Sequence, residues 1–152
     1  MNPDFKDLLL LFNARGVEYL VVGGYAVAAH GHVRATKDLD LWVRPEPANA
    51  ERTLEAIIEF GAPLHGLSLT DLVQPDLIFQ IGVPPVRVDI ITSVQGLDFP
   101  AAWQDRVEGI FGDLRVPVLS RRHLIENKKS VGRLQDLADV ENLEALGSND
   151  TD

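Results

Sequence analysis

The order of residues 19–43 constrains the fold of this 152-residue chain more than any other feature. A short apolar run ends at Gly23-Gly24, a pattern that predicts a buried strand entering a tight turn. An alanine-rich segment follows, and residues 38–43 then alternate as a second strand does. A glycine pair is by itself usually only a turn. Between a strand and a helix, however, it lets backbone N–H groups approach anionic oxygens closely.

Two acidic side chains lie on the second predicted strand. Asp38 and Asp40 are two residues apart, so strand alternation directs both to the same face, with Cα atoms roughly 6.5 Å apart. When both are ionised they repel, which raises the pKa of one of them unless a cation lies between them. A hard divalent ion such as Mg²⁺ takes oxygen ligands and meets that need. The alternative is a pair of turn-forming aspartates in a loop.

Asp89 is a third acid, inside the otherwise apolar run of residues 86–91. Burying an ionised carboxylate without a partner costs several kcal/mol, so Asp89 needs a counter-charge. One interpretation is a salt bridge to Arg87, or an exposed position on the sheet. The other is a third metal ligand on a neighbouring strand, since three such carboxylates suit two Mg²⁺ ions roughly 3.5–4 Å apart.

The whole chain predicts an α/β (α+β) fold with a short mixed β-sheet flanked by helices. Strand and helix patterns alternate along it, and no linker divides it. We therefore expect one domain over residues 1–146, followed by a polar, disordered tail at residues 147–152.

Four element predictions bear on the sheet. Residues 77–81 and 86–91 are predicted to form a hairpin, and residues 100–107 a short helix. Residues 114–119 are predicted to be an edge strand, because Pro117 has no N–H to donate to a neighbouring strand.

Composition excludes several functional classes. With 23 acidic and 14 basic residues the net charge is −9, which excludes a wholly basic nucleic-acid-binding surface. The absence of cysteine excludes a disulfide framework, a cysteine zinc site and a thiol nucleophile. Early charges such as Asp4 and Lys6 argue against a signal peptide, and no apolar stretch approaches the ~20 residues of a membrane helix. We expect a cytoplasmic protein with no membrane partner.

The segment GGYAVAAHGHVRATKDLDLWV, residues 23–43, resembles the signature of DNA polymerase beta-like nucleotidyltransferases. It is nearest to the minimal bacterial branch that includes abortive-infection toxins of the AbiEii class. That branch pairs Gly-Gly with Arg-x-Thr-x-Asp-x-Asp and takes a third acid from a later strand, matched here by Gly23, Gly24, Arg34, Thr36, Asp38, Asp40 and Asp89.

The segment LSRRHLIENKKSVGRLQDLADVENL, residues 119–143, resembles the closing helices of the same family. The matching residues there are Lys128, Arg133, Asp136 and Asp139, so the resemblance spans about residues 18–143. One departure is Gly24, where many members carry a serine whose hydroxyl meets a nucleotide phosphate. Phosphate binding here would rest on backbone N–H groups.

The resemblance implies a polymerase beta-like fold with C-terminal helices. The implied reaction moves a nucleoside monophosphate from an NTP to a hydroxyl group, with two Mg²⁺ ions (Mn²⁺ as the alternative). Asp38 and Asp40 would hold the ion at the triphosphate, and Asp40 and Asp89 would flank the ion at the acceptor. The implied nucleotide-binding residues are Gly23, Gly24, Arg34, Thr36, Lys128 and Arg133.

The acceptor and the biological role stay open at this point. The acceptor is a tRNA or other RNA end, a protein side chain, or a small molecule such as an aminoglycoside. The resemblance favours a toxin restrained by a cognate antitoxin. One alternative is a binding module without turnover, and another is an antitoxin-type enzyme that modifies a partner toxin. Any RNA contact is expected at a basic C-terminal patch made by Arg115, Arg121, Arg122, Lys128, Lys129 and Arg133.

Overall fold

The computed structural model describes residues 2–32, 38–83 and 86–147, and these form a six-stranded mixed sheet flanked by helices. The strands are β1 (Tyr19–Val22), β2 (Asp38–Val43), β3 (Ile78–Val83), β4 (Val86–Ile91), β5 (Val107–Phe111) and β6 (Leu114–Val118). The helices are α1 (Pro3–Ala14), α2 (Gly23–Ala29), α3 (Pro47–Phe60), α4 (Phe99–Gln104), α5 (Arg121–Val131) and α6 (Leu134–Gly147), with a 3₁₀ turn at Asp71–Val73. The predicted fold class is confirmed.

The sheet has the strand order β3-β4-β2-β1-β6-β5. β2 lies antiparallel to β1 and parallel to β4, so the two central strands that carry acidic residues are direct neighbours. β3 and β4 pair as the predicted antiparallel hairpin. This arrangement decides which side chains meet, because neighbouring strands in register present paired residues on one face.

The alternation of β2 and β4 separates a packed face from a polar face. Leu39 and Leu41 of β2, and Val88 and Ile90 of β4, are buried in the core. Trp42 lies on the other face of β2 and is also buried, with its ring edge-to-face on Phe99 of α4 at 5.1 Å. The polar face therefore opens toward the start of β2, where Asp38 and Asp40 lie.

Two of the element predictions are confirmed only in part at the far side of the sheet. β6 is an interior strand, because the unpredicted strand β5 pairs along it and takes the edge. Pro117 is tolerated because β1 and β6 pair only at Val21 and Val118, so the N–H that proline lacks falls beside a very short ladder. The helix predicted over residues 100–107 ends at Gln104, since Val107 begins β5.

The last helix reaches the end of the described residues. α6 runs to Gly147, and the remainder of the predicted tail lies outside the described residues. The single domain over residues 1–146 stays a prediction. No helix among residues 2–32, 38–83 and 86–147 is long and apolar enough to cross a membrane.

Candidate active site

The three predicted acids lie on one face of the two central strands. In the β2–β4 register, Asp38 pairs with Arg87 and Asp40 pairs with Asp89. Each strand contributes two residues at i and i+2, so all four side chains point the same way. Parallel pairing thus turns two separate sequence motifs into one charged cluster of three carboxylates and a guanidinium, here called the acidic cluster (Asp38, Asp40, Asp89 and Arg87).

Gly23 lies in contact with this cluster. It has φ +68° and opens α2 directly after β1, whose last residue, Val22, pairs with Asp40. A Cβ added to Gly23 would lie 2.2 Å from Asp40 Oδ2, well inside van der Waals contact. The sequence indicated this glycine as a place for phosphate to approach. The structure adds a second reason, because the Asp40 carboxyl group fills the space that a side chain would need.

Arg87 bridges two of the carboxylates. Its Nη2 donates to Asp38 Oδ2 at 2.8 Å and makes a longer contact of 3.4 Å to Asp89 Oδ2. Its Nε lies 3.1 Å from Asp89 Oδ1, but the two atoms are not aligned for a hydrogen bond. The ion pair that the sequence offered as one explanation of Asp89 is therefore present. The link to Asp38 was missed, because it depends on β4 pairing with β2.

The environment of the cluster favours protonation of its central acid. Burial, together with the charges of Asp89 and Asp38, raises the pKa of Asp40 to about 7, although Arg87 and Lys128 oppose the rise. Burial also raises the pKa of Asp89, with Arg87 opposing and Asp38 adding to the rise. The cluster carries more negative charge than its single arginine compensates.

Lys128 of α5 faces the same region and has two acidic partners on α6. Its Nζ lies 3.3 Å from Asp136 Oδ1 and 3.1 Å from Asp139 Oδ2. Both aspartates are buried, with exposures of 1% and 0%. The packing of α5 against α6 covers both carboxyl groups.

Arg133 is a second basic partner of Asp136. Its Nε donates to Asp136 Oδ2 at 2.7 Å, and this hydrogen bond lowers the pKa of Asp136. The Arg133 side chain itself is 75% exposed, so its guanidinium reaches solvent at the mouth of the cleft.

One cleft of about 480 Å³ brings the N-terminal and C-terminal motifs together. Asp38 and Asp89 flank Asp40 without lining the cleft. A larger cleft of about 820 Å³ lies around Asn13, Tyr19 and Trp103 and contains none of the predicted site residues. The predicted residues that line the smaller cleft are Gly23, Gly24, Asp40, Lys128, Arg133 and Asp136.

The other predicted residues do not join this site. Arg34 and Thr36 lie outside the described residues. Lys129 pairs with Glu144 at 3.1 Å, and Arg122 pairs with Asp105. Arg115 lines the larger cleft instead. The expected basic C-terminal patch is therefore spread over separate surfaces, and Arg115, Arg122 and Lys129 each have an acidic partner.

The donor set of the acidic cluster suits a hard cation. Within the described ranges, no three histidine or acidic side chains are already gathered around one point as metal ligands. Asp38, Asp40 and Asp89 nevertheless supply the carboxylate oxygens that Mg²⁺ prefers. Burial and then the charges of Asp89 and Asp38 raise the pKa of Asp40, and a bound cation would offset the repulsion among the three carboxylates. The residues present therefore fit the ion chemically.

The amino-acid sequence matches one known family. The sequence family described as "Nucleotidyltransferase of unknown function (DUF6036)" matches residues 5–152. No curated protein sequence matches the chain significantly.

Solved structures share the fold at low sequence identity. The lincosamide antibiotic adenylyltransferase LnuA, bound to lincomycin, aligns with a TM-score of 0.63 at 16% identity, over 96% of this chain and 98% of that one. ANT(2")-Ia in complex with adenylyl-2"-tobramycin aligns with a TM-score of 0.58 at 16% identity, over 95% and 92%. An antigenic nucleotidyltransferase-like protein from Paracoccidioides brasiliensis gives 0.55 at 14% identity, over 94% and 74%.

The contact of Gly23 with Asp40 predicts a steric penalty that a matched control isolates. Gly112 has the same φ of +68° with open space around an added Cβ, so Gly112→Ala should cost only about 1–2 kcal/mol for its left-handed backbone. Gly23→Ala should cost about 2–4 kcal/mol, because the clash adds to the same backbone penalty. Urea unfolding measures both.

A double variant attributes the difference to Asp40. In an Asp40→Ala background, Gly23→Ala should cost about 1–2 kcal/mol less than in the wild type, since the clashing carboxyl group is gone. Equal costs for Gly23→Ala and Gly112→Ala would show that the close approach does not constrain the turn.

The raised pKa of Asp40 predicts that the metal-free protein loses stability between about pH 4 and pH 7. In this range the folded protein retains a proton that the unfolded chain, whose aspartate pKa is about 4, has already released. Rising pH therefore favours unfolding. Asp40→Asn removes the titrating group, so at about pH 8 its unfolding free energy should exceed that of the wild type by about 1–3 kcal/mol.

Urea unfolding in EDTA across this pH range measures the difference. Asp113→Asn is the control, because Lys6 lowers the pKa of this exposed carboxyl group and it should not titrate there. A difference between Asp40→Asn and the wild type that does not grow with pH would contradict the raised pKa.

Proposed function

The chain belongs to the nucleotidyltransferase family DUF6036, and from this membership we propose that it transfers a nucleoside monophosphate from an NTP to a hydroxyl acceptor. The observation that carries the proposal is the meeting of Asp40, the Gly23-Gly24 turn and Lys128 in one cleft. Carboxylates, a backbone turn and a cation are the groups that nucleotidyl transfer needs, because its catalysis consists mainly of positioning and electrostatics.

Asp38, Asp40 and Asp89 would hold the divalent ions, with Mg²⁺ as the ion and Mn²⁺ as the alternative. When bound, such ions supply positive charge beside the phosphate oxygens and favour ionisation of the acceptor hydroxyl. The pairing of Asp40 with Asp89 across β2 and β4 keeps these ligands at adjacent positions on two rigid strands.

The chain's own residues would bind the nucleotide and move one proton. The start of α2 at Gly23 and Gly24 would offer N–H groups to the phosphates, with Lys128 as a further positive charge. The acceptor oxygen attacks the α-phosphorus, the bond to the β-phosphate oxygen breaks, and pyrophosphate leaves with that electron pair. Asp89, which pairs with Asp40 in the β2–β4 register, would take the acceptor proton.

The distribution of basic side chains supports a small-molecule acceptor over RNA. RNA binding draws most of its affinity from positive charge facing phosphates. Here Lys129 and Arg122 have acidic partners, and Arg115 lies at the other cleft. Two of the structural neighbours carry an antibiotic or an adenylylated antibiotic, which makes a hydroxylated small molecule the first acceptor to test. Transfer to tRNA, with the toxin role and antitoxin partner, is the second.

Release of pyrophosphate from each MgNTP tests the proposal directly. The wild type should release pyrophosphate in the presence of a suitable acceptor, and Asp40→Ala should lower the rate at least about 10²-fold by removing the central carboxylate. Asp113→Ala, an exposed carboxylate that pairs with Lys6, should leave the rate unchanged.

Thermal melting with and without MgATP or MgCTP separates turnover from binding. A rise in melting temperature without pyrophosphate release, over a panel of aminoglycosides, lincosamides and tRNA, would identify a binding module. An equal rate for Asp40→Ala and the wild type would exclude the acidic cluster as the catalytic site.

A further inference from the structure

Arg87 is the one member of the acidic cluster with no part in the proposed reaction. Its guanidinium contacts two of the carboxylates proposed as metal ligands, Asp38 and Asp89. We infer that Arg87 is the resident counter-cation of the cluster and that a divalent ion must displace its guanidinium from these carboxylates to bind. The inference rests on the proposed function, because it takes the three acids as the metal ligands.

The contacts place the guanidinium where it competes with a metal. One nitrogen, Nη2, lies 2.8 Å from Asp38 Oδ2 and 3.4 Å from Asp89 Oδ2, so it spans two strands. A carboxylate oxygen that accepts this N–H has less capacity to coordinate an ion at the same point. Arg87 accordingly compensates the negative charge of the metal-free cluster, as a bound ion would in its place.

The grip of Arg87 on the cluster is incomplete. A guanidinium binds a carboxylate most strongly through two parallel hydrogen bonds to one partner. Here Arg87 makes one short hydrogen bond, to Asp38, and its Nε lies near Asp89 Oδ1 without hydrogen-bond alignment. The side chain is also 27% exposed, which leaves it a path toward solvent. Such a pairing neutralises part of the cluster's negative charge, and a divalent ion can still displace it.

Removal of Arg87 should change the metal affinity in opposite directions for a competing role and for a merely structural role. A residue that only supported the ligands would lower metal affinity when removed. A residue that competes with the metal raises affinity when removed. The direction of the change therefore separates the two roles, whatever the variant does to overall stability.

Mn²⁺ binding to the intact chain, without nucleotide, measures that direction. The loss of the free Mn²⁺ signal in electron paramagnetic resonance gives the dissociation constant for wild type and Arg87→Gln at one pH. About 0.15 M salt screens remote charges beyond about 8 Å. We expect Arg87→Gln to bind Mn²⁺ about tenfold more tightly, a difference of about 1.4 kcal/mol.

Arg15→Gln is the matched control. Arg15 also bridges two carboxylates, Glu55 and Glu59, but lies outside the acidic cluster, at the end of α1. Its removal subtracts the same charge and should leave the Mn²⁺ affinity unchanged. Arg87→Lys keeps a charge without the planar fork, and it should bind Mn²⁺ more tightly than wild type by a smaller factor. This variant carries the test if Arg87→Gln does not fold.

The outcomes distinguish this inference from the proposed function. Equal or weaker Mn²⁺ binding by the Arg87 variants, with clear binding by the wild type, would overturn the displacement of Arg87 and leave the metal site standing. No Mn²⁺ binding by wild type or by any Arg87 variant would overturn the metal site and, with it, this inference.

Discussion

The pairing of β2 with β4 is the interaction on which the site depends. More than forty residues separate these strands in the chain. Their parallel register pairs Asp38 with Arg87 and Asp40 with Asp89. A shift of one residue would turn one strand's charges into the core, where Leu39, Leu41 and Ile90 now pack. The apolar face therefore fixes the polar face. One strand register therefore determines both the packing of the core and the assembly of the site.

Local sequence predicted what alternation and turn chemistry determine. The two-residue spacing of Asp38 and Asp40 was enough to place them on one face, and the glycine pair was enough to place the turn after β1. The nearness of Asp89 to these acids was one of two interpretations of its apolar surroundings and was favoured by a family resemblance, since strand order is not written in any single segment. The same holds for β6, whose proline indicated an edge that β5 occupies instead.

What sequence reasoning missed came from contacts between elements distant in the chain. Asp136 and Asp139 stand at a spacing typical of an exposed helix face, yet the packing of α5 on α6 buries both against Lys128. Arg87 was considered as a partner of Asp89, its neighbour on the same strand, whereas its shorter hydrogen bond goes to Asp38 on the next strand. In both cases a charge finds its partner through tertiary packing, which a periodic pattern does not encode.

The close contact between Gly23 and Asp40 links two positions that are far apart in the sequence. Because the Asp40 carboxyl group occupies the volume that any larger residue at position 23 would need, position 23 cannot vary freely while Asp40 is kept. Among descendants of this chain, a substitution at position 23 is expected to be accompanied by a shorter or absent acid at position 40, and hence by an altered or lost activity. Covariation of positions 23 and 40 among related sequences would show which lineages have kept the ancestral activity.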